Sequence, residues 1–541
     1  MNIRRIIWVT LILALGAVFG VDTASAQKRN QTPRSASEVG KILPQIAAAV
    51  ASSDVAAARR LLAEAFRIAP NNPEAHTYAG VLADAEGDYR LAEKHFSLAA
   101  RYAPNSAPAR NNYGAVLLRL GRRQQAAKEF EASLRLNPNQ PSALVNLAQI
   151  RFDENSPDGW RAAAALFEKA FALAPAVDLA RAVVVTAIKL GDAEKAARFY
   201  RQYQTLSETA PPPIAARREL GQILLESGLT TEAAAELEAA HALDAADVET
   251  RIALARAYLA QKDIKKAGRL LEAAVAGGVD DARLYAALAE VYQAGGFFEN
   301  AIPAMRLAIE KDPRSELYRI RYGLLLIDTK APAAAVIRLE EARRDFPDSP
   351  KILLALGIAQ QAEGKSAEAQ ASFERALRLA PDSVPVMAYL ASIFDEKGQY
   401  AETLAMTERA LAVEEKNALL HYLLADTLLK MPQSDAARAE KHLRRALALD
   451  ARLTQAHLAL GRLLARDNRW AEAAASFERA AAIEPDLADA HYQLGRALAR
   501  LKRAEESKQA FARFKELNDN QTARKETSRR ELVERLANTR F

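Results

Sequence analysis

The chain has 541 residues, half of them apolar and 26% charged, with a formal charge of +6 and no cysteine. That length exceeds what a single compact core fills, and the missing cysteine excludes disulfide scaffolds, thiolate nucleophiles, cysteine metal centres and a cysteine-borne lipid anchor. The positive balance is local: from Arg496 to Phe541 thirteen Lys/Arg face seven Asp/Glu, so the pI of about 9.2 belongs to the C-terminal segment and makes no case for nucleic acid.

At the N-terminus Arg4 and Arg5 precede an apolar run from Ile6 to Gly20, and Ala24-Ser25-Ala26 offers small residues to a signal peptidase. The pattern predicts a signal peptide over 1–26, cleaved after Ala26, and a periplasmic or secreted protein. The run is shorter than the ~20 residues of a membrane-spanning helix; a retained anchor is the alternative. No second apolar run follows, so no transmembrane segment is expected after cleavage. Residues 27–38 are polar and are expected to form a disordered linker.

From residue 39 onward Ala, Leu, Arg and Glu crowd the sequence, which predicts helix almost throughout. Pro70, Pro104 and Pro138 recur every 34 residues, as do Gly80 and Gly114, Gly87 and Gly121, Ala92 and Ala126, and Phe96 and Phe130. In the interval Pro73 to Ser106, a first helix ends near Glu86, Gly87-Asp88 turns the chain, and a second helix stops at Pro104. Gly80 and Ala92 are small where the two helices cross, and Phe96 packs inward. The same small, small, bulky, proline series returns as Gly357, Ala369, Phe373 and Pro381, and as Gly461, Ala473, Phe477 and Pro485.

A 34-residue unit of two helices with these signatures resembles the tetratricopeptide repeat (TPR) family over nearly the whole chain after residue 38. The resemblance implies an all-α fold, a right-handed superhelical solenoid of about fourteen helix-turn-helix units. They begin near residues 39, 73, 107, 141, 178, 214, 248, 282, 316, 350, 384, 418, 454 and 488. Extra residues fall at Asp153 to Trp160 and near Met431-Pro432-Gln433. Pro211-Pro212-Pro213 cannot continue a helix and is expected to be a seam between an N-terminal arm, 39–210, and a C-terminal arm, 214–517. A polar, charged tail follows over 518–541.

Motifs for chemistry are weak. His76, His421, His457 and His491 all hold the fourth position of their units, where a ring is expected to pack between helices, and no His-x-x-x-His pair exists. Gly364-Lys365-Ser366 lacks the upstream glycine of a phosphate loop, and Asp153 to Gly159 lacks the spacing of a calcium loop. No catalytic residue, metal or cofactor is expected.

By the resemblance, the second, fifth, ninth and twelfth positions of each first helix line a concave groove that takes a peptide or helix from a partner protein. Leu317, Ile320, Leu324 and Ile327, then Leu354 and Ile358, would form an apolar stretch of that groove. The alternative is that these side chains are buried against a neighbouring unit. Arg462, Tyr492 and Arg496 would form a basic stretch that could hold acidic peptide or acidic polysaccharide. The chaperone-type carboxylate clamp is incomplete, because Thr77 and Val81 stand where Lys and Asn are required. The expected function is a non-catalytic protein-interaction scaffold of the bacterial envelope, similar to exported TPR proteins of polysaccharide, pilus and outer-membrane assembly. The alternative is a carbohydrate-binding component of polymer export.

Overall fold

Each interval of about 34 residues carries two helix starts and two stops. Pro73, Pro141 and Pro350 open first helices, where a missing N–H breaks no bond. Side chains close the exposed N-termini: Asn72 Oδ1 accepts from Ala75 N–H at 2.8 Å, Asp88 Oδ1 from Leu91 N–H at 2.9 Å, and Ser349 Oγ from Ile352 N–H at 3.0 Å. The turn inside each pair needs one left-handed residue. Glycine supplies it at Gly87 (φ 81°) and Gly364 (φ 86°), and Asn468 (φ 62°) stands at the matching position of its own unit.

The computed structural model describes residues 33–519 except 432 and 434. The expected signal peptide, 1–26, and residues 520–541 lie outside the described residues. Among the described residues there are 28 helices and no strand, in fourteen hairpins whose first helices begin at 33, 73, 107, 141, 177, 214, 248, 282, 316, 350, 384, 418, 454 and 488. None of these helices is long and apolar enough to cross a membrane.

Two boundaries differ from expectation. The first helix begins at Pro33, inside the segment expected to be linker; Val39, Ile42, Leu43 and Ile46 face Leu62 and Ala65, and the turn ahead of them carries no apolar period to mark it. The last helix runs to Asp519 rather than ending at 517. The described residues fall into two compact units, one up to Leu271 and one from Glu272. Helix Ala193–Thr209 has 17 residues, and its extra turn carries Tyr203 and Ser207 into the core beside Pro211–Pro213. Side chains on both sides of the prolines then lock together.

Inside each compact unit the core repeats one contact. A Cβ on Gly80 would lie 2.6 Å from the Phe96 ring, one on Gly114 2.8 Å from Phe130, and one on Gly461 2.5 Å from Phe477; Gly357 faces Phe373 in the same way. Phe130, Phe373 and Phe477 are wholly buried, and Ala92, Ala126, Ala369 and Ala473 have no exposed surface. Burying each such ring contributes roughly 1.5–3 kcal/mol. The clusters bridge neighbours as well: Leu117 and Phe130 meet Ala143, Leu147 and Ile150 of the next hairpin. A hairpin alone would leave that second face wet.

Candidate functional site

Helices Pro141–Phe152, Val177–Lys189 and Ile214–Glu226 stand side by side as three successive first helices of the N-terminal unit. Between them opens a shallow, half-open cleft that encloses about 30 Å³. Gln149 and Phe152 form one wall, Asp178, Arg181, Ala182 and Val185 the floor, and Glu219, Leu220 and Ile223 the other wall. Helix Val177–Lys189 starts one residue earlier than the sequence register suggested. Counting from Val177, the floor residues Asp178, Arg181 and Val185 are the second, fifth and ninth of their unit. Gln149 and Phe152 are the ninth and twelfth of theirs.

The lining is mostly apolar with one buried guanidinium. Arg181 is 7% exposed; its Nη2 lies 3.3 Å from Asp178 Oδ1 and its Nη1 3.8 Å from Glu219 Oε2. Its Nε is buried without a protein acceptor. Two carboxylates thus flank one cation at loose distances, and the cleft offers both signs of charge beside the Phe152 and Ile223 side chains. Such a surface can orient a polypeptide segment through one apolar side chain and a few directed polar contacts.

The residues named from sequence do not form one groove. Ile320 is buried at 1% and packs, with Leu324 and Ile327 at its margin, against Ile352, Ala355 and Leu356 of the next first helix. Leu354 is buried at 4% and, with Ile358, packs against Val386, Tyr389 and Leu390. Successive first helices here approach closely enough to consume the expected groove face, so Ile320 and Leu354 cannot meet a partner. Leu317 remains exposed at 44%. Arg462 is ion-paired with Asp489, while Tyr492 meets the Phe511 ring edge-on and the Phe514 ring at a tilt, with the Arg496 guanidinium 5.8 Å over its own ring. All three side chains of that strip are exposed.

Tetratricopeptide repeat family models match residues 114–159, 224–291, 286–350, 354–412 and 488–521, and a TPR repeat model matches 461–502. Together these spans cover more than half of the chain. The chain belongs to the tetratricopeptide repeat family. No curated protein sequence matches it. Solved structures that resemble it include yeast Tom70, at 15% identity over 86% of this chain and 94% of that one, with a TM-score of 0.39. Cut9 of the APC/C hetero-tetramer Cut9–Hcn1 has 14% identity over 86% and 97%, with a TM-score of 0.38. YrrB, a TPR protein with an unusual peptide-binding site, has 21% identity over 36% and 96%, with a TM-score of 0.30. As a TPR protein the chain is a protein–protein interaction scaffold, and folds of this kind typically carry no catalysis. Among the described residues no group of three or more His, Asp or Glu could hold a metal ion.

The fourth TPR position does more than fill space. Nε2 of His76, His421, His457 and His491 lies 2.9–3.1 Å from the carbonyl six residues upstream, that of Pro70, Glu415, Ala451 and Pro485. Arg110 Nε donates to the Pro104 carbonyl at 3.1 Å in the same manner. Each side chain ties its helix to the loop leaving the previous repeat. At Arg217 the fourth position is enlisted otherwise: Nη1 lies 3.2 Å from Glu236 Oε2, and the hydroxyls of Tyr200 and Tyr203 donate to the same carboxylate at 3.1 and 3.0 Å. Burial raises the Glu236 carboxyl, while Tyr203, Arg217 and Tyr200 pull it back. Burial raises both tyrosines as well, so they remain donors at any physiological pH. This cluster spans Pro211–Pro213 and makes one body of the hairpins on either side.

Proposed function

We propose that the protein is a non-catalytic scaffold that holds a segment of a partner protein in the cleft around Arg181. The observation that carries this is the coincidence of an open cleft with the second, fifth, ninth and twelfth positions of helices Pro141–Phe152 and Val177–Lys189, the positions the TPR resemblance assigns to ligand; helix Ile214–Glu226 closes the cleft from its sixth, seventh and tenth positions. Phe152 and Ile223 would receive an apolar side chain, while Arg181, Asp178 and Glu219 would direct the backbone or a polar neighbour. We infer further that the site of action is the bacterial envelope, in an assembly or export complex, on the strength of the Arg4-Arg5, Ile6–Gly20 and Ala24-Ser25-Ala26 pattern.

A photo-crosslinking residue at Ala182 should capture a discrete polypeptide in cells, and one at exposed Glu194 on the neighbouring second helix should not. The variant Val185→Phe, which fills the cleft floor, should abolish the capture while the fold survives by circular dichroism. Capture that persists in Val185→Phe, or that is equal from Glu194, would remove the cleft from the mechanism. Mass spectrometry of the protein recovered from its native host should give Gln27 as its first residue; a start at Met1 in the cytoplasmic fraction would overturn the envelope assignment.

A further inference from the structure

Four of the seven histidines form two pairs with the same geometry in different compact units. In the repeat opening at Pro73, Nδ1 of His76 lies 3.0 Å from Nδ1 of His95. In the repeat opening at Ala418, Nδ1 of His421 lies 2.9 Å from Nδ1 of His442. Allowing for the two-residue insertion near 432, both pairs join the fourth and twenty-third positions of their repeats. In two further repeats that slot holds an ion pair: Arg110 with Glu129 at 3.0 Å and Arg217 with Glu236 at 3.2 Å. In these four repeats the slot carries a polar tie between the two helices of a hairpin, and in two of them the tie is built from imidazoles.

The proton positions follow from the partners. The Pro70 and Glu415 carbonyls can only accept, so Nε2 of His76 and of His421 carries a hydrogen. While these rings are neutral, Nδ1 is a lone pair and accepts the Nδ1–H of His95 or His442. A first proton added to the far nitrogen of His95 or His442 leaves the bond intact. A second proton can only enter at Nδ1 of His76 or His421. Two N–H groups then face each other at about 3 Å, the bond is lost, and two positive charges repel. We propose that the His76–His95 and His421–His442 pairs are proton-operated clasps that hold their hairpins closed at neutral pH and release them on mild acidification.

The surroundings favour release over neutralisation. Phe66 and Tyr102 rings lie against His76, and Lys94 is the charged group facing the first pair. Arg438, Lys441 and Arg445 face the second, opposed by Glu408, itself bound to Arg438, and by Glu415. Burial holds all four imidazoles below the ordinary 6.5, and Lys94, Arg438, Lys441 and Arg445 add to this. The unfolded hairpin takes up protons first as pH falls through 6.5, so the stabilisation is complete above that value and erodes below it. Each histidine contributes up to about a tenfold change in the opening equilibrium per pH unit.

Hydrogen exchange by mass spectrometry on the full chain tests this. Rates at pH 7.5 and 5.5 are corrected for intrinsic chemistry, and segments 73–102 and 418–449 are compared with the ion-paired segment 107–136, which contains no histidine. Opening of the first two should rise at least tenfold more than that of the control. The double substitution His76→Arg with His95→Glu, which installs the pair found at Arg110 and Glu129, should flatten the response of 73–102 and leave that of 418–449 unchanged. His95→Gln, whose amide can still donate to His76 but does not titrate, should also reduce it. A pH response equal to the control, or one that persists in both variants, would overturn the proposal.

Discussion

Glycine illustrates how one residue type serves opposite ends in this protein. Gly40 sits in the first helix with nothing within 4 Å of where a Cβ would be. Gly461 faces the Phe477 ring, which an added Cβ would approach to 2.5 Å. Both substitutions to Ala gain helix propensity of about 1 kcal/mol, but only the second also overpacks a core contact at about 1–3 kcal/mol. Gly40→Ala should therefore raise the denaturation midpoint and Gly461→Ala should lower it, measured on the full chain. The 34-residue recurrence of Gly80, Phe96 and their equivalents was legible because each contact joins residues sixteen apart in one hairpin. The histidine pairing is harder to see in the sequence, although a signal exists: Arg110 with Glu129 and Arg217 with Glu236 occupy the same two positions and mark them as touching.

The hairpins around Pro211–Pro213 show how an element's neighbours overrule its local signal. Three prolines end helix Ala193–Thr209 as expected, yet Tyr200 and Tyr203 on that helix reach Glu236 two helices later, and Arg217 joins them from between. Removing one partner of a buried pair strands the other charge. Glu236→Ala should cost about 3–5 kcal/mol, with loss of protection in segments 193–209 and 214–243 by hydrogen exchange. A loss below 1 kcal/mol would mean that the prolines, not this cluster, set the junction. A stiff tripeptide speaks for itself in the sequence, but a carboxylate buried among two tyrosines and an arginine looks, residue by residue, like ordinary helix surface.

Taken as a whole, the molecule is a sum of near-neighbour contacts, which limits how far damage spreads. Phe130→Ala should destabilise by about 3–5 kcal/mol locally. Exchange should accelerate over 107–173 and stay unchanged over 282–500; acceleration throughout would mean the chain melts as one unit. The period of small, bulky and proline residues, read from sequence alone, already dictated all-helical hairpins, their number and most of their starts, because helix formation and hairpin closure depend on residues a few turns apart. Which first-helix side chains stay open to a partner depended on how closely each hairpin settles on the next. That distance is set by many side chains at once: it closed the face of Ile320 and Leu354 and left the cleft at Arg181 open.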